Sequence, residues 1–274
     1  MIKLQAGDFN LEATLDSGQV FGFLKRADGT YKGTIGGIHI GLCQKQKILQ
    51  IEENGNEISE KSVRTYFDLD HDLTPLYRLL CGDACLRLVS ERFKGLRIIQ
   101  QNPWEALACF IISSNNNIKR IQGIRKNLSQ AFRASDLLFP EALDIARSDE
   151  HTLRSLGLGY RAPFLLWAAR YVSNHKDTFD QIRGLSYEEA KQQLIQLPGV
   201  GEKVADCVLL FGFQKYEAFP VDVWIFRAVK KLYFRNRKVS GKKIQEFGRK
   251  KWGKYAGYVQ QYLYHGAKCG VLEI

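Results

Sequence analysis

The run Leu197-Pro198-Gly199-Val200-Gly201-Glu202-Lys203 leaves the chain few local choices. Upstream, Ser186-Tyr187-Glu188-Glu189 has the S-x-x-E form of a capping box, so a helix is predicted from about Tyr187 through Leu194. Pro198 and Gly199 stop it. From Glu202 the apolar spacing of Val204, Cys207, Val208 and Phe211 reads as a second helix with Lys203 in its first turn. The segment of about 187–213 is therefore helix, glycine-rich hairpin, helix. Gly199 and Gly201 are expected to free the backbone for left-handed geometry and to let N–H groups meet a phosphate. By itself such a hairpin is a DNA-backbone anchor, and Lys203 one more phosphate contact.

Nineteen residues after the lysine stands Asp222, in Phe219-Pro220-Val221-Asp222-Val223. A helix of about ten residues climbs roughly 15 Å, and an extended return covers roughly 26 Å, so the aspartate can come back beside the lysine. Pro220 favours extended backbone, and Val223, Phe226, Val229 and Tyr233 continue as a helical stripe. Asp222 then falls at an N-cap position. A capping carboxylate is also a fixed one, so both roles can hold together.

LPGVGEKVADC followed by FPVDVW resembles the helix-hairpin-helix DNA glycosylases of the HhH-GPD superfamily, and within them the 8-oxoguanine DNA glycosylases that use a lysine nucleophile. The resemblance extends in family order to DSGQVF at Asp16 to Phe21, SSNNNIKRI at Ser113 to Ile121, LGLGYRA at Leu156 to Ala162, and WGKYAGYVQQYLY at Trp252 to Tyr264. It implies an α+β fold: an N-terminal antiparallel β-sheet (TBP-like) domain over 1–95 with flanking helices, then an all-α helix-hairpin-helix glycosylase domain over 96–274.

Composition agrees with such a partner. Forty Lys and Arg against 29 Asp and Glu give a net charge of +11. From Lys230 to Lys254 eleven basic residues face a single acid, Glu246, a block suited to neutralising phosphates. The six cysteines are scattered, with only Cys81 and Cys85 close and no histidine beside them, so neither a zinc site nor the four-cysteine cluster of iron–sulfur glycosylases is expected. Free thiols fit a reducing compartment. The N-terminus lacks a signal pattern and no run approaches a membrane span, so an intracellular protein, cytoplasmic or nucleoid-associated if prokaryotic, is expected.

Residues 1 to about 60 read as short strands, with turns at Ala27-Asp28-Gly29 and Gly36-Gly37, an end near Glu53-Asn54-Gly55-Asn56, and Gly18-Gln19 at a bend. From about Thr74 the pattern is helical. Pro103 opens one helix after Asn102; Ser113 to Asn117 breaks it; Ile118, Ile121, Ile124 and Leu128 begin another.

The resemblance supplies roles. Cys207 and Tyr264 sandwich the extruded base, Gln260 reads its edge, and the Gly18 carbonyl detects the N7 hydrogen that only the oxidised guanine carries. Asn115 fills the gap left in the duplex. Tyr160 is the wedge, and Arg161, exposed with it by the Gly157-x-Gly159 loop, joins Arg120 in gripping an orphaned cytosine. Gly199, Val200 and Gly201 hold the backbone. Two positions depart from the family: Tyr264 stands where phenylalanine is frequent, and Trp224 where eukaryotic relatives have histidine.

Chemically, a lysine nucleophile must be unprotonated, and burial beside a positive helix end favours that state. Lys203 would attack C1′, Asp222 would stabilise the developing sugar cation, and the resulting Schiff base would permit β-elimination. No cofactor is required, although hairpin carbonyls around Leu197 and Val200 offer a place for a monovalent cation. The expected partner is double-stranded DNA containing oxidised guanine, bound by a monomer. Two alternatives stay open: an HhH glycosylase for another damaged base, and a non-catalytic DNA-binding module.

Overall fold

In the computed structural model, which describes residues 1–53, 57–133 and 135–274, the sheet comes first. Strands β1 (Ile2–Gln5), β2 (Leu24–Lys25), β3 (Tyr31–Ile35), β4 (Ile38–Lys45) and β5 (Ile48–Glu53) form one antiparallel sheet in the order β1-β5-β4-β3-β2. Alternation decides its faces: Leu49, Ile51, Ile40 and Leu42 point inward and are buried, while Glu52 and Lys45 point out. The pairs Tyr31↔Leu42 and Leu42↔Ile51 stack across three strands, which pins the register, since a one-residue slip would turn this row to solvent. The strand end expected at Asn54-Gly55-Asn56 lies outside the described residues.

One expectation is corrected here. Residues 1 to about 60 are not all strand: Leu11–Leu15 forms a short helix, α1, whose N-cap Asn10 accepts from the Ala13 N–H at 2.9 Å. Its reach is one turn, too short for a periodic signal.

The helices follow: α2 (Glu60–Tyr66), α3 (Thr74–Gly82), α4 (Arg87–Arg92), α5 (Pro103–Ile112), α6 (Ile118–Arg133), α7 (Ala142–Ala146), α8 (Glu150–Leu153), α9 (Ala162–Asn174), α10 (Thr178–Gly184), α11 (Tyr187–Ile195), α12 (Glu202–Phe213), α13 (Val223–Phe234), α14 (Gly241–Trp252) and α15 (Ala256–Lys268). Local chemistry explains the ends that matter. Ser186 and Glu189 complete the capping box of α11. Asn102 caps α5 through the Trp104 and Glu105 N–H groups, with Pro103 in the first turn. Gly253, at φ +52°, separates α14 from α15.

Two cores result. The sheet packs Leu4, Ile40, Leu42, Leu49 and Ile51 against Phe9, Val63 and Phe67. The helical core joins α5, α9, α12 and α15, and it also takes in Leu76 and Leu80 of α3 and Val89 of α4, so those two helices pack with the helical body rather than the sheet. The bodies are tied by buried polar groups. Asp68 accepts from His71 Nδ1 (2.9 Å), Tyr216 (2.7 Å) and Tyr258 (3.1 Å), and the buried Arg97 donates to the Asp8 and His71 carbonyls at 3.0 Å each. Buried donors and acceptors left without partners are costly, so these bonds fix the relative placement of sheet and helices.

Candidate active site

At the hairpin, Gly199 has φ +81°, and a Cβ there would lie 2.6 Å from the Phe164 side chain, so both conformation and space demand glycine. Gly201 differs from expectation. At φ −92° and ψ −179° it is extended backbone, not left-handed, and it is the N-cap of α12 with open space around it. Val200 is buried and its N–H donates to the Leu197 carbonyl at 3.0 Å, closing the turn. The first N–H groups of α12 carry no side-chain cap, which leaves them available to an anion.

Beneath the hairpin lies a buried ionic cluster. Asp206, wholly buried, accepts from Tyr187 (2.6 Å) and Lys191 (3.2 Å) and from Gln245. Lys191 also meets Glu202 at 2.5 Å. These bonds join α11, α12 and α14, so the helix carrying Lys203 is held from two sides.

Lys203 points into a cavity of about 810 Å³. Its Nζ donates to Ser113 Oγ at 3.2 Å and sits 5.1 Å from the Phe110 ring centroid. Asp222 reaches the same cavity from the mouth of α13, where its Oδ1 accepts from the Ile225 N–H at 2.8 Å. The carboxylate that lines the cavity and the N-cap of α13 are one residue, as the spacing allows. Burial pushes the Asp222 carboxyl above its ordinary value, opposed by the Ile225 N–H bond and by the nearby charge of Lys203.

Gly18, Cys207, Gln260 and Tyr264 also line this cavity. Cys207 follows Lys203 by one turn; burial raises its thiol to about 12, so it presents a neutral, polarisable face. Gln260 is held at both ends, Nε2 donating to the Pro220 carbonyl (3.1 Å) and Oε1 accepting from Gln261 Nε2 (3.0 Å). Gly18 owes its place to buried neighbours. Gln19 Nε2 donates to the carbonyls of Thr14 (3.1 Å) and Arg97 (2.8 Å), its Oε1 accepts from the Ile99 N–H (2.7 Å), and Gln101 Nε2 donates to the Gln19 carbonyl (2.7 Å). At φ +78°, a Cβ on Gly18 would stand 3.0 Å from Tyr264 Cε1 and 3.1 Å from its hydroxyl. Gly18→Ala should thus cost roughly 1–2 kcal/mol of stability through backbone strain and should close the base slot. Base excision is expected to fall far more than cleavage of a preformed abasic site; equal loss of both would refute the slot reading.

The asparagine loop sits on the rim. Asn115 is exposed with φ +48°, and Asn117 caps α6 through the Arg120 N–H (3.0 Å). Tyr160 is 49% exposed and its hydroxyl donates to the Ser114 carbonyl at 3.1 Å. Arg120 is exposed, with a long 3.5 Å contact to the Gly157 carbonyl. Arg161 corrects the expectation of an exposed guanidinium: it is 2% exposed, donating through Nε to the Ser114 carbonyl (2.8 Å) and through Nη2 to that of Asn115 (2.8 Å), while stacking on Tyr160 at 4.4 Å. Two consecutive carbonyls left free by the turn draw in the planar donor set. The structure brings together Lys203, Asp222, Gly18, Cys207, Gln260, Tyr264 and, at the rim, Asn115, while Arg120, Tyr160 and Arg161 are not among the cavity's lining residues. Sequence reasoning missed Ser113 as the group holding the amine. Its separation of 90 residues from Lys203 leaves no local signal.

Among the described residues no group of three or more His, Cys, Asp or Glu is gathered to hold a metal, and no helix is long and apolar enough to cross a membrane. Residues 1–107 match the profile of the 8-oxoguanine DNA glycosylase N-terminal domain, and residues 108–254 match that of the HhH-GPD superfamily base excision DNA repair proteins. The chain belongs to the HhH-GPD superfamily. It is 31% identical to a probable N-glycosylase/DNA lyase of Methanothermobacter thermautotrophicus over 99% of this chain and 98% of that protein. It is 31% identical to the N-glycosylase/DNA lyase of Saccharomyces cerevisiae over 81% of this chain and 71% of the other. Among solved structures, the 8-oxoguanine glycosylase/lyase of Clostridium acetobutylicum, in complex with double-stranded DNA containing cytosine opposite 8-oxoguanine, superposes with a TM-score of 0.90 at 30% identity, covering 99% of each chain. This HhH-GPD protein therefore carries the sheet and the helical body in the arrangement of that solved structure.

Proposed function

We propose that this protein removes 8-oxoguanine from duplex DNA, preferentially opposite cytosine, and then cleaves the strand at the abasic site. One observation carries the reading: an amine and a carboxylate at the mouths of successive helices line a single cavity, roomy enough for an extruded nucleotide, whose walls also include Gly18, Cys207, Gln260 and Tyr264. A nucleotide turned out of the stack would lay its base between Cys207 and Tyr264. Its N7–H would face the Gly18 carbonyl, a contact that unmodified guanine, with a lone pair at N7, would refuse.

The unprotonated amine of Lys203 then forms a bond to C1′ as the C1′–N9 bond breaks, its electron pair leaving with the base, which takes up a proton. Asp222 stabilises the positive charge on the sugar. Ring opening gives a Schiff base at C1′; loss of a C2′ proton expels the 3′ phosphate, and water releases Lys203. Asn115, Arg120, Tyr160 and Arg161 serve the opposite strand, with Arg161 exchanging its loop carbonyls for the orphaned base. The uncapped amides of α12 take a phosphate, and the hairpin carbonyls remain the proposed place for a monovalent cation.

The test is incubation with duplexes holding 8-oxoguanine opposite each of the four bases, with and without borohydride. Fastest excision opposite cytosine and a covalent adduct are expected. Excision confined to alkylated or oxidised pyrimidine bases would redirect the reading to another glycosylase; binding without turnover would reduce the protein to a DNA-binding module.

A further inference from the structure

A second concavity, of about 820 Å³, opens on the far side of Asp222. It shares Asp222 and Val223 with the base cavity, so the two are parted only by the first turn of α13. Beyond that lip, Phe226, Arg227, Lys230 and Lys231 line it, one face of α13 at helical spacing, and Asp222 is the single acidic side chain among the lining residues. Arg227 and Lys231 are exposed and Lys230 is half-buried. Two basic residues of the neighbouring α14 are placed differently: Arg249 pairs with Glu188 at 2.6 Å and Lys251 with Asp83 at 3.2 Å. Thus part of the basic block is neutralised internally, whereas the α13 face keeps its charge for something outside the chain.

A nucleotide in the base cavity puts its sugar between Lys203 and Asp222, and its strand must leave in two directions. One passes the uncapped amides of α12. The other must cross the Asp222 lip, where Val223 is 62% and Trp224 38% exposed, and enter the second groove. Three cations on a wall partly apolar match the alternation of phosphate and sugar along a strand. We propose that this groove carries the backbone of the damaged strand on the Asp222 side of the extruded nucleotide, with Arg227, Lys230 and Lys231 neutralising its phosphates. This rests on the glycosylase reading of the cavity, but its test uses no damaged base.

Binding to a duplex containing a tetrahydrofuran abasic analogue is followed by fluorescence anisotropy over a series of salt concentrations. Each of Arg227→Gln, Lys230→Gln and Lys231→Gln should flatten the dependence of log affinity on log salt by about 0.9, the value for one lost phosphate contact, and the triple variant by about 2–3. The double variant Lys45→Gln/Lys47→Gln, on the exposed end of the β4–β5 hairpin, should leave the slope unchanged. Single neutral methylphosphonate linkages then locate the contact. The intact protein should lose affinity when the neutral linkage lies next to the analogue on the damaged strand, and the triple variant should be indifferent to it. An unchanged slope overturns the proposal, as does an equal flattening by the control or sensitivity confined to the complementary strand. Failure to excise 8-oxoguanine would leave these slopes untouched, so the two readings fail separately.

Discussion

Lys203→Gln is expected to abolish the borohydride-trapped adduct with both damaged-base and abasic duplexes and to lower excision by on the order of 10⁴-fold or more, the scale seen when a covalent nucleophile is removed. The amine donates to Ser113 Oγ and pairs with no carboxylate among the described residues, so glutamine should be accommodated without loss of fold. Ser113 Oγ in turn donates to the Phe110 carbonyl at 2.7 Å, which holds the hydroxyl where it can accept from the amine. Ser113→Ala should therefore keep the adduct and slow its formation by about tenfold, one neutral hydrogen bond's worth of positioning. An adduct that persists in Lys203→Gln would place the nucleophile elsewhere and end the assignment. Excision without an adduct would instead mean that water, held by Asp222, attacks the sugar. Single-turnover excision and gel-resolved trapping separate these outcomes.

The elements around this lysine were legible because their signals are local. A capping box needs only Ser186 and Glu189, three residues apart, and both bonds are present. Pro103 after Asn102 announces α5, and Gly199 before a helix announces a turn that no side chain would fit. That Asp222 can return beside Lys203 followed from chain length, since one helix and one extended return bring it back; that the two act together came from the resemblance. Antiparallel strands were readable too, but not the order β1-β5-β4-β3-β2, because β1 pairs with β5, its neighbour in the sheet but the last strand in sequence.

What stayed hidden depends on partners far apart in sequence. Arg161 reads as an exposed guanidinium until the Ser114 and Asn115 carbonyls, 47 and 46 residues away, are seen to absorb its donors. Gln19 reads as a turn residue until its amide is found wired to Arg97 and Ile99. Such contacts have no period, and only the packing of sheet against helices creates them. Glycines fared unevenly for a related reason: Gly18 and Gly199 do need positive φ, whereas Gly201 is extended with open space around it, so neither dihedral freedom nor packing within the chain demands glycine there.

Asp222 permits a sharper separation of structure from chemistry. Asparagine at a helix N-cap accepts the same N–H bond as aspartate, so Asp222→Asn should retain the contact to the Ile225 N–H and lose only the charge. Burial holds the carboxyl's proton more tightly in the fold than in the unfolded chain. The sign follows: this group's contribution to stability is greatest at low pH and declines as pH rises past the ordinary carboxylate value. At neutral pH the asparagine variant should melt at the same temperature or higher. Excision should nonetheless fall by about 10²–10³-fold, the cost of removing one charge that stabilises a transition state. The pH profile gives a second reading. In the unaltered protein the single-turnover excision rate should drop as pH falls through the raised Asp222 value, above the ordinary carboxylate range, and in Asp222→Asn that acid limb should vanish, leaving a low, flat rate. Asp222→Ala, lacking cap and charge, should lose about 1 kcal/mol of stability as well. An asparagine variant with full activity, or one whose acid limb is unmoved, would make Asp222 a cap and nothing more, and the sugar cation would need another source of negative charge.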